Sequence, residues 1–147
     1  QKLSEKGNPN AIELPRPNIK LSNDFSFSGL KTAAIYFLQD IETGTSKISK
    51  EDFAASYQEA IVDTLLRNFS KVLKETGVNT ISGGGGVIAN TRLREKMEAL
   101  AEKNELGCYL PSISLSTDNG AMICAAANKE LISNDKSRDI RLSSVIK

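Results

Sequence analysis

The stretch Ile81-Ser82-Gly83-Gly84-Gly85-Gly86-Val87-Ile88-Ala89-Asn90, followed at once by Thr91-Arg92-Leu93-Arg94, constrains this chain most. A short apolar run enters four glycines and an amphipathic segment leaves them, which predicts a strand, a tight turn and a helix. Glycine tolerates positive φ and lets a ligand lie against bare backbone. A helix opening just beyond offers unpaired N–H groups and a positive dipole end to an anion. The segment is of a size to meet a nucleotide. Four successive glycines also suit a flexible loop, and composition alone favours the loop. No Lys-Ser or Lys-Thr follows the last glycine, so this is no Walker motif. The spacing also fails the dinucleotide fingerprint.

The remaining segments predict what surrounds this turn. Ser49-Lys50-Glu51-Asp52 resembles a capping box, and behind it Phe53, Tyr57, Ile61, Leu65, Phe69 and Leu73 recur every fourth residue. That is a long helix ending at Thr76-Gly77, and its apolar stripe is read as core. Leu30 to Ile41 reads as a shorter helix behind Gly29. Leu93, Met97, Leu100 and Ala101 line one face of a helix ending near Gly107. Short strands are expected at Ile12-Glu13-Leu14, where Pro15 and Pro17 bar a central position. Others are expected at Phe25-Ser26-Phe27-Ser28, which alternates apolar and small polar residues, and at Cys108-Tyr109-Leu110. Thr117-Asp118-Asn119-Gly120 leads into Ala121 to Ala127, whose small residues suit a tightly packed helix. The alternation of strands and helices argues for an α/β class, helix-rich with a thin sheet.

Composition excludes some chemistry. At 147 residues, 39% apolar and 25% charged, the chain suits one soluble domain. A net charge of +1 implies no general pull on nucleic acid or membrane, although a local basic patch is compatible with it. There is no histidine, which removes imidazole bases and imidazole metal ligands together. Cys108 and Cys124 lack metal-ligand spacing and read as buried or half-buried thiols of a reducing compartment. No apolar run nears the roughly 18 residues that span a bilayer, and no signal peptide is visible in these residues. The chain begins with Gln1 and reads as part of something longer or as a processed chain.

Several residues carry two readings. Asn90 stands where a helix N-cap is expected, yet its amide could also meet a nucleotide over the glycines. Asp118 likewise suits a cap, or a metal or its water. Arg92, Arg94 and Lys96 form either a solvated face or a phosphate-meeting patch that Lys31 and Arg16 could join.

Four stretches in order decide what spacing leaves open. They are 24–32 (Asp24-Phe25-Ser26-Phe27-Ser28-Gly29-Leu30-Lys31-Thr32), 54–60 (Ala54-Ala55-Ser56-Tyr57-Gln58-Glu59-Ala60), 85–94 with Asn90, Leu93 and Arg94, and 117–123 with Asp118. Together, over about residues 12–127 and with Pro15-Arg16-Pro17, they resemble the C-terminal half of the TsaD family. Members of that family are tRNA threonylcarbamoyladenosine transferases, formerly called glycoprotein endopeptidases; the wording here is closest to bacterial members. The resemblance implies a lobe of the actin, heat-shock ATPase and sugar-kinase (ribonuclease H-like) superfamily. Residues 1–147 would be the second lobe beside a nucleotide cleft, with 128–147 a polar C-terminal extension. It implies that Asn90 contacts threonylcarbamoyl-AMP, that Gly85 and Gly86 let it approach, and that Asp118 is a ligand to iron or zinc. No catalytic residue is assigned within this chain.

Further implied are tRNA, a paralogous TsaB-type subunit and a TsaE-type ATPase as partners, no membrane, and a cytoplasmic location. The family's other metal ligands are two histidines of the first lobe, which this chain lacks. Gly83 and Gly84 replace usual strand residues, Ser116 a frequent Cys, and Ala127 a usual Gly. Two rival readings are a non-catalytic or truncated lobe that binds partners, and an ATP-dependent phosphotransferase of the same superfamily. No nucleophile–base pair supports an endopeptidase.

Overall fold

The computed structural model describes residues 1–17 and 23–132. Its spine is the long helix that the fourfold apolar spacing predicts. For the elements of regular structure we write α1 for Ser28–Glu42, α2 for Lys50–Thr76, β1 for Thr80–Ser82, α3 for Thr91–Lys103, β2 for Gly107–Tyr109 and α4 for Gly120–Ile132. Three short 3-10 turns lie at Ser4–Lys6, Gly86–Ala89 and Ile113–Leu115.

Helix α2 starts and stops as its ends dictate. Ser49 Oγ accepts the backbone N–H of Asp52 at 3.0 Å, which satisfies one orphan donor of the first turn. At the other end Gly77 sits at φ 63°, and its N–H donates to Leu73 O at 3.1 Å. The Asp52 carboxylate also accepts from the N–H of Asn8 at 2.7 Å; that bond, helped by Ser49, holds its pKa below the usual value.

Two apolar clusters flank this spine. One gathers Ile12, Leu14, Leu30, Ala34, Phe53 and Ala60, joining α1 and the N-terminal segment to the first half of α2. The other gathers Val62, Ile81, Ile88, Leu93, Met97 and Ala101, joining β1, the glycine turn and α3 to the second half. The sheet is two parallel strands with Thr80 opposite Gly107, Ile81 opposite Cys108 and Ser82 opposite Tyr109. Helix α3 is the crossover between them, since parallel neighbours cannot be joined by a tight turn. This is the helix-rich α/β class with a thin sheet that the alternation predicts.

Several expectations need correction. Ile12 to Leu14 is not a strand: Ile12 and Leu14 are buried and Glu13 is exposed, but the Ile12 N–H donates to Ser56 Oγ at 3.2 Å rather than to a neighbouring strand. Phe25 to Phe27 forms no strand: Phe27, at φ −116° and ψ 4°, is already the residue that leads into α1. Ser28 and Gly29 open α1, so Gly29 breaks nothing. The stripe on α2 does pack against the two clusters as core, although only Phe53 is buried and Tyr57, Ile61, Leu65, Phe69 and Leu73 are half-buried. Residues 121–126 of α4 are exposed, so the tight packing expected of its small side chains is not seen among the described residues. Cys108 is half-buried but Cys124 is exposed. Of the expected extension at 128–147, α4 takes in residues up to Ile132; 133–147 lie outside the described residues.

Candidate nucleotide site

The glycine turn is built in two halves with different reasons for glycine. Gly83 is a packing requirement: a Cβ there would fall 2.7 Å from Ile88 Cδ1 and 3.1 Å from Leu110 Cδ2. Its N–H also continues the sheet by donating to Tyr109 O at 3.2 Å. Gly85 is a conformational requirement, at φ 83°, where a side chain is strained. Gly84 and Gly86 are neither: a Cβ on either would meet open space. Bare backbone therefore faces outward at these two positions.

The turn does not pass straight into α3 as the sequence suggests. Gly86–Ala89 forms a 3-10 turn first, anchored by Ile88, which is buried in the second cluster. Arg94 Nη1 donates to Ile88 O at 3.3 Å and so satisfies a carbonyl of that turn. Asn90 then caps α3, its Oδ1 accepting the N–H of Leu93 at 3.0 Å. Its Nδ2 donates to Gln58 Oε1 on α2 at 2.8 Å.

Asn90 and Gly86 share one cavity of about 670 Å³. Opposite them stand Phe53, Tyr57, Ile61 and Leu65, the stripe of α2, together with Leu38 of α1. Phe53 and Tyr57 stack there with ring centroids 5.9 Å apart. The half-buried stripe thus walls a cavity. Apolar walls with a few fixed polar groups at one end are what small-ligand sites consist of. Gly85 immediately precedes Gly86 but is not among the residues lining the cavity. Asp118 is exposed and is not among the residues lining it. The helix behind Asp118 is capped by Asn119, whose Oδ1 accepts the N–H of Met122 at 3.2 Å, so the cap expected of Asp118 belongs to its neighbour.

The basic residues of α3 are mostly committed within the fold. Arg92 makes paired hydrogen bonds to Glu59, which is 9% exposed, and a further contact to Glu95 at 3.3 Å. Lys96 bridges Glu59 and Asp63, and Asp63 also receives Arg16 Nε at 2.8 Å. The Arg92 hydrogen bonds outweigh the opposing effect of burial and, with Lys96, hold the Glu59 carboxyl at about 2. Arg92 is raised in turn, chiefly by its bond to Glu59. Arg92, Lys96 and Arg16 therefore fasten α3 and the Pro15–Pro17 segment to α2, and neither a solvated face nor a phosphate patch describes them. Lys31 is exposed on α1.

No group of three or more His, Cys, Asp or Glu side chains among the described residues could hold a metal ion. One exposed carboxylate at Asp118 does not fit a closed metal site by itself. Gln58 and Glu59, which accept hydrogen bonds from Asn90 and Arg92, are the residues that the reading of single segments passes over. A signal for the second existed: Glu59 and Asp63 stand four apart on α2, and Arg92 and Lys96 four apart on α3, which are two matched charge ladders.

The family model for TsaD, tRNA N6-adenosine threonylcarbamoyltransferase, matches residues 1–125. The chain belongs to this family. Its helix-rich α/β architecture agrees with the actin-like fold of the family. Similar proteins named tRNA N6-adenosine threonylcarbamoyltransferase include one from Thermosipho africanus (strain TCF52B), 44% identical over 129 residues, which cover 87% of this chain and 38% of that protein. Another, from Clostridioides difficile (strain 630), is 41% identical over 144 residues, covering 97% of this chain and 42% of that protein. A third, from Clostridium novyi (strain NT), is 41% identical over 133 residues, covering 89% and 39%. The chain therefore spans about two fifths of the length of the curated relatives it matches. No helix among the described residues is long and apolar enough to cross a membrane.

Proposed function

We propose that residues 1–147 are the C-terminal lobe of a tRNA-modifying threonylcarbamoyl transferase and supply one wall of its adenylate site. In the proposed reaction the exocyclic amine of adenosine 37, beside the anticodon of tRNAs reading codons that begin with A, attacks the carbonyl carbon of threonylcarbamoyl-AMP. A carbon–nitrogen bond forms, the carbon–oxygen bond to phosphate breaks, AMP leaves with that electron pair, and the amine loses a proton. The observation that carries this reading is the fixed amide of Asn90 beside outward-facing glycine backbone at the rim of a 670 Å³ cavity.

Each residue has a task within that scheme. The open backbone at Gly86, next to the positive-φ turn at Gly85, lets the adenylate lie close. Asn90 can give it one N–H and take one hydrogen bond while still capping α3. The stacked Phe53 and Tyr57 and the aliphatic side chains beyond them keep one side of the site dry. These contacts bind and orient, which is where proximity gains arise. Asp118 would give one ligand to an iron or zinc ion whose other ligands lie outside this chain, and no step is derived through that ion. A TsaB-type subunit and a TsaE-type ATPase are the proposed protein partners, in the cytoplasm, with tRNA as substrate.

The test is transfer by the full-length protein from threonylcarbamoyl-AMP to tRNA, read as the modified nucleoside after digestion. Wild type forms it and Asn90→Ala loses at least about tenfold, the worth of one or two hydrogen bonds in a binding site. Equal rates for the two proteins would contradict the reading.

A further inference from the structure

Asn90 is held at both ends of its amide. Its Oδ1 accepts the backbone N–H of Leu93 at 3.0 Å, and its Nδ2 donates to Gln58 Oε1 at 2.8 Å. The first bond decides which end is oxygen, because a backbone N–H requires an acceptor. Nδ2 must then face Gln58, and Gln58 must turn its own oxygen toward it. An amide engaged at both ends has one orientation, with one N–H and one lone pair left for a ligand. An N-cap bond alone would leave the nitrogen end without a fixed partner.

Gln58 is well placed to hold that orientation. It is half-buried on a 27-residue helix, and it lines the same cavity as Asn90. The next residue, Glu59, grips Arg92 through the paired bonds. Two successive side chains of α2 therefore fasten the residues on either side of Thr91, and the first turn of α3 is fixed against α2 just where Asn90 enters the cavity. Held in advance, the amide needs no ordering when a ligand arrives.

We propose that Gln58 is a positioning residue, which fixes the Asn90 amide in the orientation that receives the adenylate. This rests on the reading of Asn90 as the adenylate contact. Gln58 acts through Asn90, so its effect should vanish when Asn90 is gone.

The test is a double-mutant cycle in the full-length protein, with AMP binding measured by calorimetry and folding checked by melting curves. Asn90→Ala should weaken AMP at least about tenfold. Gln58→Met, close in size but without an acceptor oxygen, should weaken it about five- to tenfold in wild type and less than about twofold in Asn90→Ala. Gln58→Glu keeps an oxygen opposite Nδ2 and should stay within about threefold of wild type. Should Gln58→Met not fold, Gln58→Ser, polar but too short to reach Nδ2, takes its place in the cycle. If Asn90→Ala binds AMP as wild type does, the adenylate reading fails and the positioning role falls with it. If Asn90→Ala weakens AMP but Gln58→Met has no effect, or the same effect in both backgrounds, or if Gln58→Glu is no better than Gln58→Met, the positioning role alone is overturned.

Discussion

Arg92 on α3 clasps Glu59 on α2 through two parallel hydrogen bonds, 2.8 Å from Nε to Oε2 and 3.0 Å from Nη2 to Oε1. They stand thirty-three positions apart in the sequence, and the clasp ties the first turn of α3 to α2. Bidentate guanidinium–carboxylate geometry is among the stronger polar contacts a fold can make.

Removing the carboxylate leaves Arg92 and Lys96 without their shared partner. A shift of Glu59 from 4.5 to about 2 corresponds to about 3 kcal/mol at most. Arg92 is 38% exposed, and solvent screening brings this to roughly 2 kcal/mol. Glu59→Ala should lose about that much in urea unfolding at pH 7. A loss under about 0.5 kcal/mol would show that the clasp is only a surface pair.

The same pair sets a pH dependence. The Glu59 carboxyl titrates lower in the folded protein than its ordinary value of 4.5, so its stabilisation is complete above that pH and is lost as pH falls toward about 2. Urea midpoints taken from pH 6 down to pH 2.5 should fall more steeply in wild type than in Glu59→Gln, which has no proton to take up there. Parallel curves would contradict this assignment.

The glycines separate stability from binding. Gly83→Ala should cost about 1–3 kcal/mol, because the new methyl overlaps Ile88 and Leu110. Gly86→Ala should change stability by less than about 0.5 kcal/mol, since its Cβ meets nothing. If the adenylate lies on that backbone, Gly86→Ala nonetheless weakens AMP binding. Unchanged affinity would move the ligand away from Gly86.

Asp118 can be tested without disturbing the fold, because Asn119 makes the cap contact of α4. Asp118→Ala should leave the melting temperature of the full-length protein within about a degree or two and lower its metal content by elemental analysis. Unchanged metal content would return Asp118 to the ordinary surface.

The parts of this fold legible in the sequence are those that local chemistry decides alone. Ser49, the fourfold apolar spacing and Gly77 delimit α2 without reference to anything else, and Asn90 announces the start of α3. Period-two burial was a poorer guide. Ile12 and Leu14 are buried as in a strand, but a strand needs a neighbour, and Ser56 on α2 takes the N–H of Ile12 instead. The roles of Arg92 and Lys96 were hidden for a related reason. Their partners lie on another helix, and the charges of α3 viewed alone look solvated. At the candidate site, Asn90 and Gly86 were legible and meet in one cavity, whereas Gln58 became visible only once α2 and α3 were docked.

A crystal structure of the full-length protein with AMP tests the central claim most directly. The account predicts the nucleotide against the backbone of Gly85 and Gly86, within hydrogen-bond distance of the Asn90 side chain, with the Gln58 and Leu93 contacts intact. AMP bound elsewhere, with the Asn90 amide touching only Gln58 and Leu93, would contradict it.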